Sequence, residues 1–138
     1  MSAPSAEEAA LLARAREAAL AAYCPYSNFP VGAAVETERG VFRGCNVENA
    51  SFGLTVCAER VALFSAVAAG ARRISRLAVS CLKPGPDAPP AGRMPCGACR
   101  QVIAEFMPPD AIVLVDGAGA WRVADLLPEP YRLTDNQE

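Results

Sequence analysis

The sequence predicts an α/β fold, a three-layer α/β/α sandwich around a mixed five-stranded sheet. Three observations predict it. Helix-like segments alternate with short apolar runs of strand length, the order that puts helices on the faces of a sheet. Two of those runs flank the turn Glu38-Arg39-Gly40, which makes a hairpin and mixes antiparallel pairing into the sheet. The chain has 138 residues, 52% of them hydrophobic, enough to bury one core without disulfide staples. No internal repeat divides it, and residues 1–138 read as a single domain.

Taken in order, Ser5-Ala6-Glu7-Glu8 has the pattern of a capping box, in which the Ser5 hydroxyl accepts an N–H while Glu8 reaches back. A helix is predicted from there to Ala22, ending before Pro25, with Leu11, Leu12, Ala15, Ala18, Ala19 and Ala22 as its apolar stripe. Its small residues predict close packing on the sheet. Residues 23–30 form a turn-rich loop, followed by strands over 31–36 and 41–47 and a polar loop over 48–53. A second helix spans 57–69, with Val61, Leu63, Phe64 and Val67 as its apolar residues and Gly70 placed to end it. Residues 76–82 are a β-type run. The 83–94 segment holds four prolines and two glycines, a surface loop of no regular structure. A third helix over 96–107 is stopped by Pro108-Pro109. Strands over 111–115 and 120–123 follow, separated by a turn at 116–119, then one helical turn at 124–127. The tail after Leu133 reads as loose.

Charge narrows the function. Thirteen basic residues face fifteen acidic ones, net −2, so there is no overall basic face to grip nucleic-acid phosphates. Arg72, Arg73 and Arg76 cluster without aromatic residues between them and read as solvated surface. No apolar run approaches the roughly 20 residues a bilayer span needs. The Ala-rich start carries Glu7, Glu8, Arg14, Arg16 and Glu17 and is no secretory signal. A cytoplasmic protein with reduced thiols is expected, so the six cysteines are not read as a disulfide framework. There is no histidine. Catalytic triads, Cys-His nucleophiles and His-bearing zinc sites are therefore excluded, and any metal must be held by thiolates.

Two stretches offer such thiolates: Cys57-Ala58-Glu59-Arg60 and Pro95-Cys96-Gly97-Ala98-Cys99-Arg100-Gln101. Cys96 and Cys99, three apart, face one side of a first helical turn, where free N–H groups stabilise thiolates. Alone, the pair also fits a redox dithiol or half of a structural zinc site. Cys57 is the best third ligand because it too opens a helix; Cys24, Cys45 and Cys81 read as core. Three cysteines suit a zinc ion that keeps its fourth position open for water. Residues i and i+2 of a helix point about 200° apart. Glu59 can therefore share a centre with Cys57 only if the helix begins after Cys57. A carboxylate so placed is a candidate proton shuttle. Arg60 can hydrogen-bond the thiolates and offset their charge.

These two stretches resemble the signature of the zinc-dependent nucleoside deaminases, and most closely that of the small homotetrameric cytidine deaminases. The similarity runs from about Tyr23 to Phe106 and more weakly to Tyr131. The resemblance implies that Cys57, Cys96 and Cys99 hold Zn2+ and that Glu59 acts as acid and base. It also implies that the backbone at Ala58 helps hold the pyrimidine edge. Asn46-Val47-Glu48-Asn49 is similar to the family's ribose-binding segment; an amide and a carboxylate two apart on extended chain face the same way and can share a diol. Phe29 matches the phenylalanine that packs on the base. Phe52 stands where the family often has Tyr, and Tyr131 where it tends to have Phe. Both positions border a neighbouring subunit's pocket. The 83–94 loop is longer and richer in proline than is typical.

The implied activity is hydrolytic deamination of cytidine and 2′-deoxycytidine in pyrimidine salvage by a cytoplasmic homotetramer, without a nucleic-acid or membrane partner. The alternative within the fold is a related aminopyrimidine such as blasticidin S, or a modified cytosine nucleoside. A polynucleotide-editing deaminase would need a basic groove. A structural zinc or redox module would leave Glu59 beside the ligands unexplained.

Overall fold

The computed structural model describes residues 3–133; the expected looseness after Leu133 falls outside them. Ser5 caps α1 (Ala6–Ala19) with both bonds of the capping box in place. The helix stops at Ala19, earlier than expected, because the next N–H groups turn back three residues rather than four, Ala21 to Ala18 and Ala22 to Ala19. A hairpin joins β1 (Val31–Thr37) to β2 (Gly40–Cys45). β2 ends two residues before Val47. Val47 instead bridges Tyr23 on one side and Val56 on the other, a change of partner that takes 46–48 off the sheet. A 3₁₀ turn at Phe52–Leu54 interrupts the expected polar loop.

Then come α2 (Ala58–Ala68), β3 (Ile74–Cys81), α3 (Gly97–Phe106), β4 (Ile112–Val115), β5 (Gly119–Arg122) and the short α4 (Val123–Leu126). The sheet runs β2-β1-β3-β4-β5, with only the β3–β4 pair parallel. It is mixed and five-stranded, as the sequence predicts. Gly70 ends α2 at φ +96°, with the Ala71 and Gly70 N–H groups closing on Ala66 and Val67.

Period-two alternation sorts the strands between two apolar layers. Ala34, Ala78 and Leu114 face Leu11, Leu12 and Ala15 of α1. Ala33, Val35, Leu77, Val79 and Val113 face Ala62, Leu63 and Ala66 of α2 and Ile103 of α3. One expectation fails on this face. Phe64 is exposed and Val61 and Val67 only half-buried, because α2 meets the sheet through Ala58, Ala62, Leu63 and Ala66.

Those alanines let backbones touch. A Cβ built on Gly44 of β2 would fall well inside contact distance of the Ala62 nitrogen and 2.7 Å from the Ala58 carbonyl oxygen. Gly44→Ala must therefore push α2 off the sheet. We expect it to destabilise the protein by about 1–3 kcal/mol in denaturant unfolding. Zinc content should fall as well, since α2 carries Glu59 and is capped by Cys57. Unchanged stability would mean that α2 rides freely over β2.

Candidate active site

Two helix N-termini meet at one point. Cys57 caps α2 in an extended conformation, φ −74° and ψ 157°, and Cys96 caps α3 likewise, φ −71° and ψ 172°. Because Cys57 lies outside the helix, its side chain and that of Glu59 escape the i, i+2 divergence that regular geometry imposes. Cys99 lies one turn into α3 and is fully buried. The three sulfurs all lie within 4.8 Å of one another, and those of Cys57 and Cys96 are 3.8 Å apart. Tetrahedral zinc bound at about 2.3 Å to each sulfur requires a separation of about 3.8 Å. The residues fit the ion.

The electrostatics favour a thiolate. The neighbouring Cys99 thiol and the Arg60 guanidinium, whose Nη2 donates to Cys57 Sγ at 3.6 Å, hold the Cys57 thiol well below its ordinary range despite burial. Cys99, beside a thiolate at Cys57 and buried, is pushed up. Glu59 is only 4% exposed. Burial raises its carboxyl to about 7, a thiolate at Cys57 adds to the rise, and its own backbone N–H opposes it. Ala58, at the first helical position, has an N–H with no acceptor inside the helix.

Asn46 and Glu48 stand where Val47 bridges to Val56, the residue before Cys57. Asn46 is buried. Its Nδ2 donates to the Phe29 carbonyl at 2.9 Å and its Oδ1 accepts from Val31 N–H at 2.9 Å, so it holds Phe29 in place with one amide hydrogen and one lone pair to spare. Glu48 accepts from the N–H groups of Tyr26 and Ser27 at 3.0 and 3.2 Å and from the Ser27 hydroxyl. The Ser27 hydroxyl bond is the main reason its carboxyl is held below the usual range. Tyr26, Ser27, Glu48, Phe52 and Thr55 line an open cavity of about 280 Å³. Phe52 meets Tyr26 edge-on at 6.4 Å between centroids. Phe52 and Tyr131 are 77% and 68% exposed.

Cys24, Cys45 and Cys81, expected in the core, are all half-buried and stand apart from the three-thiol cluster. Residues without a role in the sequence reading also matter. Ser27 fixes Glu48. Arg100 ties the start of α3 to the carbonyls of Pro95 and Leu126, each at 2.9 Å. Gln101 bonds the backbone of Tyr131 in both directions. Arg100 and Gln101 could have been singled out as polar residues on the exit side of the Cys-x-x-Cys pair. Ser27 carried no such signal. A larger groove, about 870 Å³, lies between α1 and the β4–β5 hairpin. It holds no thiol, and its Arg16 and Asp116 are engaged in a two-bond ion pair at 2.7 and 2.9 Å, so the chemistry lies elsewhere.

Residues 5–115 match the model of the cytidine and deoxycytidylate deaminase zinc-binding region. A cytidine deaminase of Sporosarcina psychrophila is 45% identical over 130 residues, covering 91% of each chain. One from Halalkalibacterium halodurans is 43% identical over 132 residues, covering 91% of this chain and 94% of the other. The crystal structure of cytidine deaminase from Burkholderia pseudomallei superposes with a TM-score of 0.78 at 48% identity, over 89% of this chain and 98% of that one.

Proposed function

The chain belongs to the cytidine and deoxycytidylate deaminase family, and we propose that it hydrolyses cytidine and 2′-deoxycytidine to the uridine forms with release of ammonia. The observation that supports this most is the meeting of three thiols with a buried carboxyl whose proton affinity suits neutral pH. We assign Cys57, Cys96 and Cys99 as zinc ligands. Zinc bound there acts as a Lewis acid that makes water nucleophilic near neutral pH.

The protein's own groups supply the rest. Hydrolysis adds oxygen at C4 of the base and expels the exocyclic amine, so one proton must reach N3 and another the departing nitrogen. Glu59 can carry both, because its carboxyl is buried beside Cys57 and burial raises its proton affinity. The Ala58 N–H binds the pyrimidine edge, and Phe29, fixed by Asn46, packs on the ring. Asn46 and Glu48 take the ribose hydroxyls with their remaining acceptor and donor capacity. Arg60 offsets the charge of the thiolates.

In this reading residues 1–138 form one catalytic domain working in cytoplasmic pyrimidine salvage. Four copies assemble, with the exposed Phe52 and Tyr131 closing a neighbouring copy's pocket. No helix among the described residues is long and apolar enough to cross a membrane.

The test is the ultraviolet absorbance of zinc-loaded protein mixed with cytidine, run beside deoxycytidine, cytosine, CMP and blasticidin S. Loss of cytidine absorbance with CMP inert is the expected result. Turnover of cytosine or blasticidin S with cytidine untouched would reject the ribose role of Asn46 and Glu48 and identify the substrate directly.

A further inference from the structure

The 83–94 loop does not enter the mechanism above, yet it delivers the chain to Cys96. Most of its residues are exposed. Its last turn is not: Arg93 is 6% exposed, Met94 packs against the main core and Pro95 is buried. Arg93 makes no ion pair among the described residues, and its Nε is buried without a partner. Its Nη2 donates to the Gly85 carbonyl, which also accepts from Ala88 N–H at 3.0 Å. The loop is thus closed on itself through one guanidinium.

That guanidinium rests against the β4–β5 turn. A Cβ on Gly117 would come within 3.2 Å of Arg93 Nη1, so the guanidinium lies against this turn with little room to spare. Its charge reaches Asp116 beside that turn and Cys81 at the end of β3, a thiol that also feels Glu59. Burying a cation that forms no direct ion pair is unfavourable, and a methionine would fill the same space without that cost. Packing alone does not account for an arginine here. The Nη2 bond to the Gly85 carbonyl, which a methionine cannot make, does.

We propose that Arg93 is a positioning residue that ties the loop to the β4–β5 turn and thereby fixes Cys96 within reach of Cys57 and Cys99. On the other side of Cys96, Arg100 holds the Pro95 carbonyl, so the thiol sits between two anchors. The proposal rests on the assignment of the three thiols as zinc ligands.

The experiment compares zinc-loaded wild type with Arg93→Met and Arg93→Lys. It follows zinc release to a chromogenic chelator and amide hydrogen exchange along the chain. For Arg93→Met we expect zinc release at least about tenfold faster, the usual effect of losing a group that orients a ligand. Exchange should rise across 84–97 while β1 and β3 stay protected, and Arg93→Lys should fall between the two. Release within twofold of wild type would overturn the proposal, even if the loop exchanges faster. So would faster exchange in β1 and β3, because the loss would then be global. If Arg93→Met does not fold, Arg93→Lys carries the same comparison. Wild-type protein that holds no zinc would reject the ligand assignment itself, a result distinct from either.

Discussion

Glu59→Gln is expected to retain its zinc and lose about four orders of magnitude in turnover of cytidine, the upper range for removal of a general acid–base group. The amide keeps the size and much of the hydrogen bonding of the carboxyl, so the packing at the start of α2 should survive. What it cannot do is carry a proton. Two transfers, to N3 and to the departing amine, depend on one buried side chain in this proposal, and no histidine exists anywhere in the chain to substitute. Metal analysis and steady-state kinetics on the same preparation decide the matter. Full turnover with zinc retained would move the shuttle to another group, and lost zinc would make Glu59 part of the metal site.

The same substitution has a consequence for stability in the zinc-free protein. The Glu59 carboxyl is raised by burial to about 7 from an ordinary 4.5. Between those values the unfolded chain has released the proton and the folded one still holds it. The folded state binds more protons there, so stability falls as pH rises from 4.5 to about 7 and is level above. Zinc-free Glu59→Gln should lack this fall and unfold later than wild type at pH 8. Denaturant midpoints across that pH range, taken in the presence of chelator, measure it. Identical curves for the two proteins would mean that Glu59 is solvated when the metal is absent.

Local rules made much of the fold legible. The capping box at Ser5 and Glu8, the glycine stop at Gly70 and the hairpin at Gly40 each involve residues close in sequence, and each appears where the pattern places it. The misjudged features depend on distant partners. Phe64 read as core because it is large and apolar, but α2 sits close on Gly44 through Ala58 and Ala62 and packs Leu63 inward, and the phenylalanine is left outside. β2 ends at Cys45 because Asn46 turns to hold Phe29 and Val31, a contact that no periodicity reveals. In the candidate site, the requirement that Cys57 precede the helix followed from geometry alone. Ser27 and Arg93 did not, since each acts on a residue brought near only by folding.

Cys99→Ala is expected to abolish zinc binding and, with it, detectable deamination, while the sheet stays folded. Of the three thiols it is the deepest, fully buried on the first turn of α3 where Cys96 is exposed. Its loss takes a ligand and also the neighbouring thiol that favours a thiolate at Cys57. Two thiols from two different helices then remain, too few for the closed side of a zinc site. Folding should survive because the change removes one sulfur from a core whose two apolar layers are built largely from other residues. Cys45→Ala and Cys81→Ala are the controls. Both remove half-buried thiols outside the cluster and should keep about one zinc per chain. Metal content, circular dichroism and turnover measured together separate the outcomes. Zinc retained in Cys99→Ala but lost in Cys81→Ala would exchange the two residues in the ligand set.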